Sequence, residues 1–141
     1  MKHKILKIKQ DFQSSAVLVL LDSHKRLILT KRTRKVRTHR GQFSFPGGKR
    51  EATDKDFLDT ALREAEEEIG IQREWVKNIC PLLPSYSPRG FIIYPFLGYL
   101  KDAVIFKKSP DEVDRIIRVP LIFFQKTSPA TRIYLVHGTR V

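Results

Sequence analysis

The stretch Phe45-Pro46-Gly47-Gly48, followed by Arg63-Glu64-Ala65-Glu66-Glu67-Glu68-Ile69-Gly70, decides how this chain folds. Successive residues of a helix turn by about 100°, so Glu64, Glu67 and Glu68 fall along one edge of a helix. Clustered carboxylates repel one another, and a hard divalent cation such as Mg²⁺ relieves that repulsion through oxygen ligands. The stretch therefore predicts a metal site that faces the phosphates of a substrate.

Sequence signals also predict where the helix begins and ends. An apolar stripe adjoins the carboxylate edge and is expected to face the core; it consists of Leu58, Ala61, Leu62, Ala65 and Ile69. Asp54 suits the N-cap and Gly70 the C′ position, which predicts one helix from about Asp56 to Ile69. Glu66 points away from the other three glutamates and is expected to be solvated.

The acidic run has a simpler alternative interpretation, because most such runs are charged surface helices. Three features favour the metal site instead. The run lacks Lys partners at i+4, since only Gln72 and Arg73 follow it. Its acidic residues lie beside the apolar stripe and not opposite it. The preceding Pro-Gly-Gly turn also has exposed backbone that can approach a ligand.

These residues resemble a known family motif. The motif is the Nudix box, and its counterparts here are Gly48 and the run Arg63-Glu64-Ala65-x-Glu67-Glu68-x-Gly70-Ile71. The Nudix family hydrolyses nucleoside diphosphates linked to another moiety. The resemblance implies that Glu64, Glu67 and Glu68 bind the metal, with the carbonyl oxygen of Gly48 as a further ligand. It implies that the same glutamates act in catalysis with Arg63, the cation that pairs with a carboxylate of the box.

The motif departs from the family pattern between the turn and the helix. The acidic residue six positions after Gly48 is Asp54, where the family usually has Glu. The stretch from Asp54 to Arg63 is also one residue longer than usual. The loop between turn and helix must absorb the extra residue, which leaves a role for Asp54 open.

The segment before the glycine turn narrows the resemblance. Leu29-Thr30-Lys31-Arg32, then Arg37, Gly41 and Phe45-Pro46-Gly47-Gly48, resemble the additional signature of the coenzyme A diphosphatase branch. That branch implies cleavage of coenzyme A or its derivatives to 3′,5′-ADP and 4′-phosphopantetheine, with Mg²⁺ as the cofactor and Mn²⁺ as an alternative ion. The similarity of pattern extends from about residue 15 to about residue 124.

The same segment is strongly basic. Its cations follow a strand-like stretch and are Lys31, Arg32, Arg34, Lys35, Arg37 and Arg40. Arg suits bidentate contacts with phosphate, and Lys adds a less directional charge. The candidate substrate-binding residues are therefore Lys31, Arg32, Arg37 and Arg40, with Gly47 in the turn. A solubilising loop or a general polyanion patch is the alternative.

Length and composition set limits on these hypotheses. The 141 residues suit one compact domain, residues 1–141. The formal net charge of +12 favours anionic partners such as nucleotides, nucleic acid or acidic membrane surfaces. The single cysteine, Cys80, excludes an internal disulfide framework and is expected to be buried in its apolar run. The chain shows no apolar stretch long enough for a bilayer and no signal-peptide core, so a cytoplasmic enzyme is expected.

Strand and turn signals predict a mixed α/β architecture. The expected strands are residues 15–21, 25–31, 79–83, 91–100, 113–119 and 133–136. Pro95, within the fourth of these, suits an edge strand or a bulge. The family resemblance implies an α/β/α sandwich around a central mixed sheet. Its second helix is expected at residues 121–125, and a partner subunit in a homodimer is an alternative cover for that face of the sheet.

A further candidate lies downstream, in Ser109-Pro110-Asp111-Glu112-Val113. The resemblance implies an acidic residue here that binds metal or acts as a general base, and Glu112 matches that position best. Hydrolysis needs a base within hydrogen-bond reach of the attacking water. The alternative is a solvated turn before a strand.

Two other functions stay open. The first is a Nudix hydrolase of another nucleotide, such as NADH, ADP-ribose or a dinucleoside polyphosphate, although the upstream signature argues against it. The second is a catalytically idle module that binds nucleic acid through its basic surface. The sequence shows no RNA-binding motif and no interleaved pattern of aromatic and basic residues that would support it.

Overall fold

The computed structural model describes residues 13–37, 40–87, 90–101 and 104–126. Its strands are β1 (Gln13–Leu21), β2 (Arg26–Arg32), β3 (Phe43–Ser44), β4 (Gly47–Lys49), β5 (Val76–Pro81), β6 (Ser85–Ser87), β7 (Phe91–Leu100) and β8 (Val113–Pro120). Its helices are α1 (Phe57–Ile69) and α2 (Leu121–Lys126), and a short 3-10 helix spans Arg73–Trp75. The predicted strand at residues 133–136 lies outside the described residues.

The strands form one mixed sheet whose main path is β3-β2-β1-β7-β5. β1 and β7 run parallel along the whole of β1, from Gln13 opposite Phe91 to Leu21 opposite Tyr99. The remaining strands pair antiparallel: β4 with β1, β6 with β7, and β8 with β2. The predicted mixed α/β architecture is confirmed, and β7 has the predicted bounds.

β1 changes partner along one of its edges. Ser15, Ala16 and Val17 pair with β4, whereas Leu21 pairs with β2. Because β7 occupies the other edge of β1, strands β2 and β4 must diverge from a common neighbour. The sheet therefore splits beside the Phe-Pro-Gly-Gly turn. Helix α1 packs against β1 and β4 there.

β7 is an interior strand, so the expectation that Pro95 marks an edge strand is wrong. The proline is tolerated for a local reason. Its carbonyl oxygen accepts from the N–H of Leu82 at 2.9 Å, in the chain that connects β5 to β6. N and O of one residue point to the same side of a strand. The missing N–H of Pro95 therefore faces the break between two short strands and not a continuous ladder.

Helix α1 begins at a different cap from the predicted one. The N-cap is Asp56, whose Oδ1 accepts from the N–H of Asp59 at 2.7 Å, and not Asp54. Gly70 ends the helix as predicted, in the left-handed region at φ 72°, where glycine is favoured. Between these caps the helix buries the predicted apolar stripe, except that Leu58 is only partly buried. The core beneath it consists of Ala16, Leu18, Leu20, Ile28, Ala61, Leu62, Ala65, Ile69, Ile71, Val76 and Leu100.

Helix α2 follows β8 directly and agrees with the second predicted helix. Its Ile122 and Phe123 are exposed. Within the described residues, no helix is long and apolar enough to cross a membrane. Cys80, which was expected to be buried, is exposed on β5.

Candidate active site

Two glycines of the turn bring its backbone against β1 and against α1. A Cβ atom on Gly47 would lie 2.3 Å from the carbonyl oxygen of Ala16. A Cβ atom on Gly48 would lie 2.5 Å from the carboxyl carbon of Glu64. At Gly47 the clash would be with backbone, so glycine is required by space there, whereas a side chain at Gly48 would displace the carboxylate of Glu64. The structure thus places Gly48, a predicted metal ligand, directly beside the carboxylate of Glu64.

Arg63 ties the glycine turn and the following loop to the helix. Its guanidinium makes a bidentate contact with Asp54, from Nε to Oδ1 at 2.8 Å and from Nη2 to Oδ2 at 3.1 Å. Nη2 also donates to the carbonyl oxygen of Lys49 at 3.1 Å. Nη1 donates to Glu64 Oε1 at 3.0 Å and to Glu67 Oε1 at 3.2 Å. Charge-assisted contacts of this kind fix geometry as well as charge, so Arg63 positions two of the three predicted metal ligands.

Asp54 is the buried anchor of this network. It accepts from Thr60 Oγ1 at 2.9 Å and from the N–H of Glu51 at 2.8 Å. Its contact with Arg63 is the main reason that the pKa of Asp54 lies well below its usual value. The residue whose role the sequence left open therefore holds Arg63, and the loop absorbs the extra residue before the helix without breaking that contact.

Glu68 is the most buried of the three box glutamates, with 7 % of its surface exposed. Burial and the charges of Glu64 and Glu112 raise the pKa of Glu68 to about 8. The charge of Arg32 and a hydrogen bond from the N–H of Gly47 act in the opposite direction. Gly47, predicted to bind substrate, thus contacts Glu68 in this structure.

The other glutamates of the run are less buried. Burial also raises the pKa of Glu64, although the contact with Arg63 partly offsets this effect. Glu67 is half-exposed at the rim of the site. Glu66 is exposed, as predicted. The solvent exposure of the three box glutamates therefore differs: Glu68 is the most buried and Glu67 the most exposed.

The chemistry of these groups fits a hard divalent cation. The charge of Glu64 disfavours ionisation of Glu68, the charge of Glu112 disfavours ionisation of both, and a cation beside them would reverse that penalty. Across the part of the chain that the structure describes, no three acidic, histidine or cysteine side chains already surround one ion position. Glu67 contacts Arg63 instead.

The loop before β8 brings Glu112 to the same site. The N–H groups of Lys107 and Ser109 donate to the carbonyl oxygens of Ile69 and Glu68, each at 2.9 Å. These bonds satisfy carbonyl groups that the end of a helix leaves unpaired. The carbonyl oxygen of Ser109 accepts from the N–H of Glu112 at 3.2 Å. The turn that carries Glu112 is therefore attached directly to the last turn of α1.

Thr33 also holds this turn, and it was not among the predicted site residues. Its N–H donates to the carbonyl oxygen of Glu112 at 3.0 Å, and its Oγ1 donates to the carbonyl oxygen of Asp111 at 3.0 Å. Thr33 is buried. A threonine directly after a strand is an ordinary feature of a sequence, and its partner lies 78 positions away. The sequence therefore carried no specific signal for this contact.

Only some of the predicted substrate-binding cations line a common cavity. Lys31 and Arg32 line a cavity at the end of β2, next to the turn that carries Glu112. Arg37 and Arg40 are exposed and do not line it, and Arg40 Nε donates to the carbonyl oxygen of Val36 at 2.8 Å. Lys108 also lines the cavity, although the sequence analysis did not single it out. The roles of all these residues in substrate binding stay predictions.

Proteins of a known family are similar in sequence to this chain. A NUDIX domain profile matches residues 11–130. The uncharacterized Nudix hydrolase NudL of Photorhabdus laumondii is 41% identical over 95 residues, which is 67% of this chain and 51% of the relative. The mitochondrial Nudix hydrolase 15 of Arabidopsis thaliana is 42% identical over 118 residues, which is 79% of this chain and 41% of the relative. The chain thus spans about half the length of these relatives.

Solved structures share the fold. The NUDIX domain of Shewanella oneidensis NrtR, solved with ADP ribose, superposes with a TM-score of 0.65 at 17% identity and covers 83% of this chain and 78% of that one. An Ap4A hydrolase of C. elegans, solved as a binary complex, gives 0.64 at 17% identity and covers 84% and 89%. At this identity the likeness concerns the fold alone. Since the family profile spans most of the sequence and its motif residues meet around α1, the chain belongs to the Nudix family.

Proposed function

We propose that this protein hydrolyses the diphosphate of coenzyme A or its derivatives, with Mg²⁺ as its cofactor. The position of Arg32 supports this most directly. Arg32 lines the basic cavity, and its charge also acts on Glu68 in the carboxylate site. A substrate that carries a diphosphate and further phosphate can therefore contact both parts of the site at once. The resemblance of the segment from residue 29 to residue 48 to the coenzyme A diphosphatase signature points to the same substrate.

In this proposal each residue of the site has a distinct role. Glu64, Glu67 and Glu68 hold the ion together with the Gly48 carbonyl oxygen, and Mn²⁺ is an alternative ion. The ion supplies electrostatic stabilisation for the charge that develops on the diphosphate. Arg63 keeps Glu64 and Glu67 in position. Lys31, Arg32, Arg37 and Arg40 neutralise the phosphates of the substrate.

Glu112 acts as the general base in this proposal. Its carboxylate accepts a proton from the attacking water as the water oxygen bonds to phosphorus. The anhydride P–O bond breaks, and 3′,5′-ADP and 4′-phosphopantetheine leave. The proximity of Glu112 to the box glutamates supports this role, because the charge of Glu112 raises the pKa of Glu68.

The test is an incubation with a panel of substrates. The protein is mixed with coenzyme A, an acyl-coenzyme A, NADH and ADP-ribose, with and without Mg²⁺, and the products are identified by mass. We expect metal-dependent release of 3′,5′-ADP from the coenzyme A compounds. Cleavage of NADH or ADP-ribose alone would replace the substrate assignment. Absence of metal-dependent cleavage for the whole panel would instead favour the idle basic module.

A further inference from the structure

A basic cavity of about 440 Å³ lies at the end of β2, beside the carboxylate site. Five cationic side chains and one carboxylate line it: Lys31, Arg32, Arg34, Lys35, Lys108 and Asp114. Like charges that converge on one space repel one another, and an anion in that space relieves the repulsion. The lining therefore suits a strongly anionic group.

Arg32 connects the cavity to the reacting part of the site. Its Nε atom is buried and has no hydrogen-bond partner among the described residues. A buried donor without a partner is costly, so the protein alone leaves the polar surroundings of Arg32 incomplete. The same side chain acts electrostatically on Glu68. A group bound in the cavity would therefore lie next to the carboxylate edge and not on a remote surface.

The turn that carries Glu112 forms one wall of the cavity. Pro110 and Val113, on either side of Glu112, both line it, as does Thr33, which holds the turn. The turn that carries the proposed general base thus borders the cavity. A substrate that fills the cavity with one phosphate can place a second phosphate group across this turn, at the proposed metal ligands.

We infer that the cavity binds a phosphate monoester of the substrate, separate from the diphosphate that is cleaved. This inference rests on the proposed function and adds a second anion site to it. A phosphate monoester carries nearly two negative charges at neutral pH and offers three acceptor oxygens, which suits several cationic donors at once. Lys108 is the residue that tests this assignment, because it reaches the cavity from a different part of the chain than the basic segment.

Lys108 is exposed, and its Nζ donates to the carbonyl oxygen of Asp114 at 2.6 Å. This contact holds the ammonium group at the cavity. Its neighbour Lys107 is also exposed but does not line the cavity, and only its backbone N–H contacts α1. Substitution of Lys107 by alanine keeps that N–H, so the two lysines form a matched pair of variants.

The experiment compares coenzyme A with 3′-dephospho-coenzyme A, which lacks only the separate monoester. Values of kcat/KM for both substrates are measured for the wild type, Lys108→Ala and Lys107→Ala. We expect the wild type to prefer coenzyme A. In Lys108→Ala we expect kcat/KM for coenzyme A to fall about five- to tenfold, mainly through KM, because one charged contact is lost. Its value for the dephospho compound should change less than about twofold.

Three further results sharpen the test. Lys108→Arg should restore the preference for coenzyme A, since it restores a cation. Lys35→Ala, on another wall of the cavity, should reduce the same preference. Equal losses on both substrates in Lys108→Ala would overturn the inference, as would a wild type that cleaves both substrates equally well; either result would leave the proposed diphosphatase activity intact. A wild type that cleaves neither substrate would overturn the proposed function itself.

Discussion

Arg63 and Arg32 both act on the glutamates of α1, Arg63 on Glu64 and Glu67 and Arg32 on Glu68, yet the protein holds them in opposite ways. Arg63 donates to Asp54, to a backbone carbonyl and to two carboxylates of the box. Arg32 has a buried Nε without a hydrogen-bond partner among the described residues and opens onto a cavity lined by other cations. One arginine is fully engaged by the protein itself, whereas the other is left able to engage a ligand.

The same contrast extends to the two regions that carry these arginines. The carboxylate edge of α1 is fixed by the contacts of Arg63, by Asp54 and by the glycine turn. The cations of the basic segment are mostly exposed. Preorganised groups contribute to the rate of a reaction, and groups that await a ligand contribute to its binding. We therefore expect changes in the first region to lower kcat and changes in the second to raise KM.

The largest effect is expected for Glu68→Gln. This substitution keeps the shape of the side chain and removes the charge of the deepest proposed metal ligand, so we expect kcat to fall about 10³-fold. Glu66→Gln is the matched control, since Glu66 is exposed on the same helix and should keep its activity within about twofold. Metal-dependent turnover and circular dichroism measure activity and fold together. A near-normal rate for Glu68→Gln would remove Glu68 from the site.

The next largest effect is expected for Asp54→Asn, and it concerns stability. Asp54 is buried and makes a bidentate contact with Arg63, so its substitution should cost about 2–3 kcal/mol of unfolding free energy. We expect kcat to fall as well, because Arg63 then positions Glu64 and Glu67 less firmly. Urea unfolding at neutral pH gives the first quantity and steady-state kinetics the second.

The pH dependence of this variant provides its control. The pKa of Asp54 is lower in the folded protein than in the unfolded chain, so its contribution is present above about pH 4 and is lost as the pH falls below that value. The difference in unfolding free energy between wild type and Asp54→Asn should therefore shrink under acid conditions. A difference that stays constant down to about pH 2 would show that the ionised contact with Arg63 is not the cause.

The helix α1 and the carboxylate edge of the site were predictable from local patterns in the sequence, whereas the sandwich arrangement was implied by the family resemblance. Helical spacing alone places Glu64 and Glu68 beside the apolar stripe that is buried. The Phe-Pro-Gly-Gly turn likewise predicts that its backbone approaches other groups closely. These features need only residues that are near one another in the chain.

The contacts that complete the site were not predictable, because they join residues that are far apart in the sequence. Thr33 meets Asp111, and Lys108 reaches the cavity formed by the basic segment. The N-cap is Asp56 and not the predicted Asp54, because Asp54 accepts hydrogen bonds from Arg63 and Thr60. The preference of Asp54 for a capping position is weaker than its ion pair with Arg63, which is a tertiary contact. Periodic patterns in the sequence do not predict such a contact.

Thr33 allows a smaller test, at the boundary between the two regions. Thr33→Val keeps the shape of the side chain but leaves the carbonyl oxygen of Asp111 without its hydroxyl partner. If the hydroxyl positions the Glu112 turn, kcat should fall about three- to tenfold with little change in KM, and Thr33→Ser should restore it. Thr30→Val is the control, because Thr30 is also buried on β2 and its Oγ1 donates to the carbonyl oxygen of Ser44 at 3.3 Å. Equal losses of kcat in both variants would indicate a general effect on the strand.

The smallest effect is expected for Arg37, and its comparison with Arg32 distinguishes the two ends of the basic segment. Arg32→Ala should raise KM for coenzyme A about tenfold, because it removes a cation that lines the cavity and whose charge acts on Glu68. Arg37→Ala should raise KM only about twofold, because an exposed cation outside the cavity acts through a screened charge. Raising the salt concentration should remove the Arg37 effect and leave most of the Arg32 effect, since salt screens exposed charges far more than buried ones. If both variants raised KM equally at every salt concentration, the contrast between an engaged and an available arginine would not explain how this protein binds its substrate.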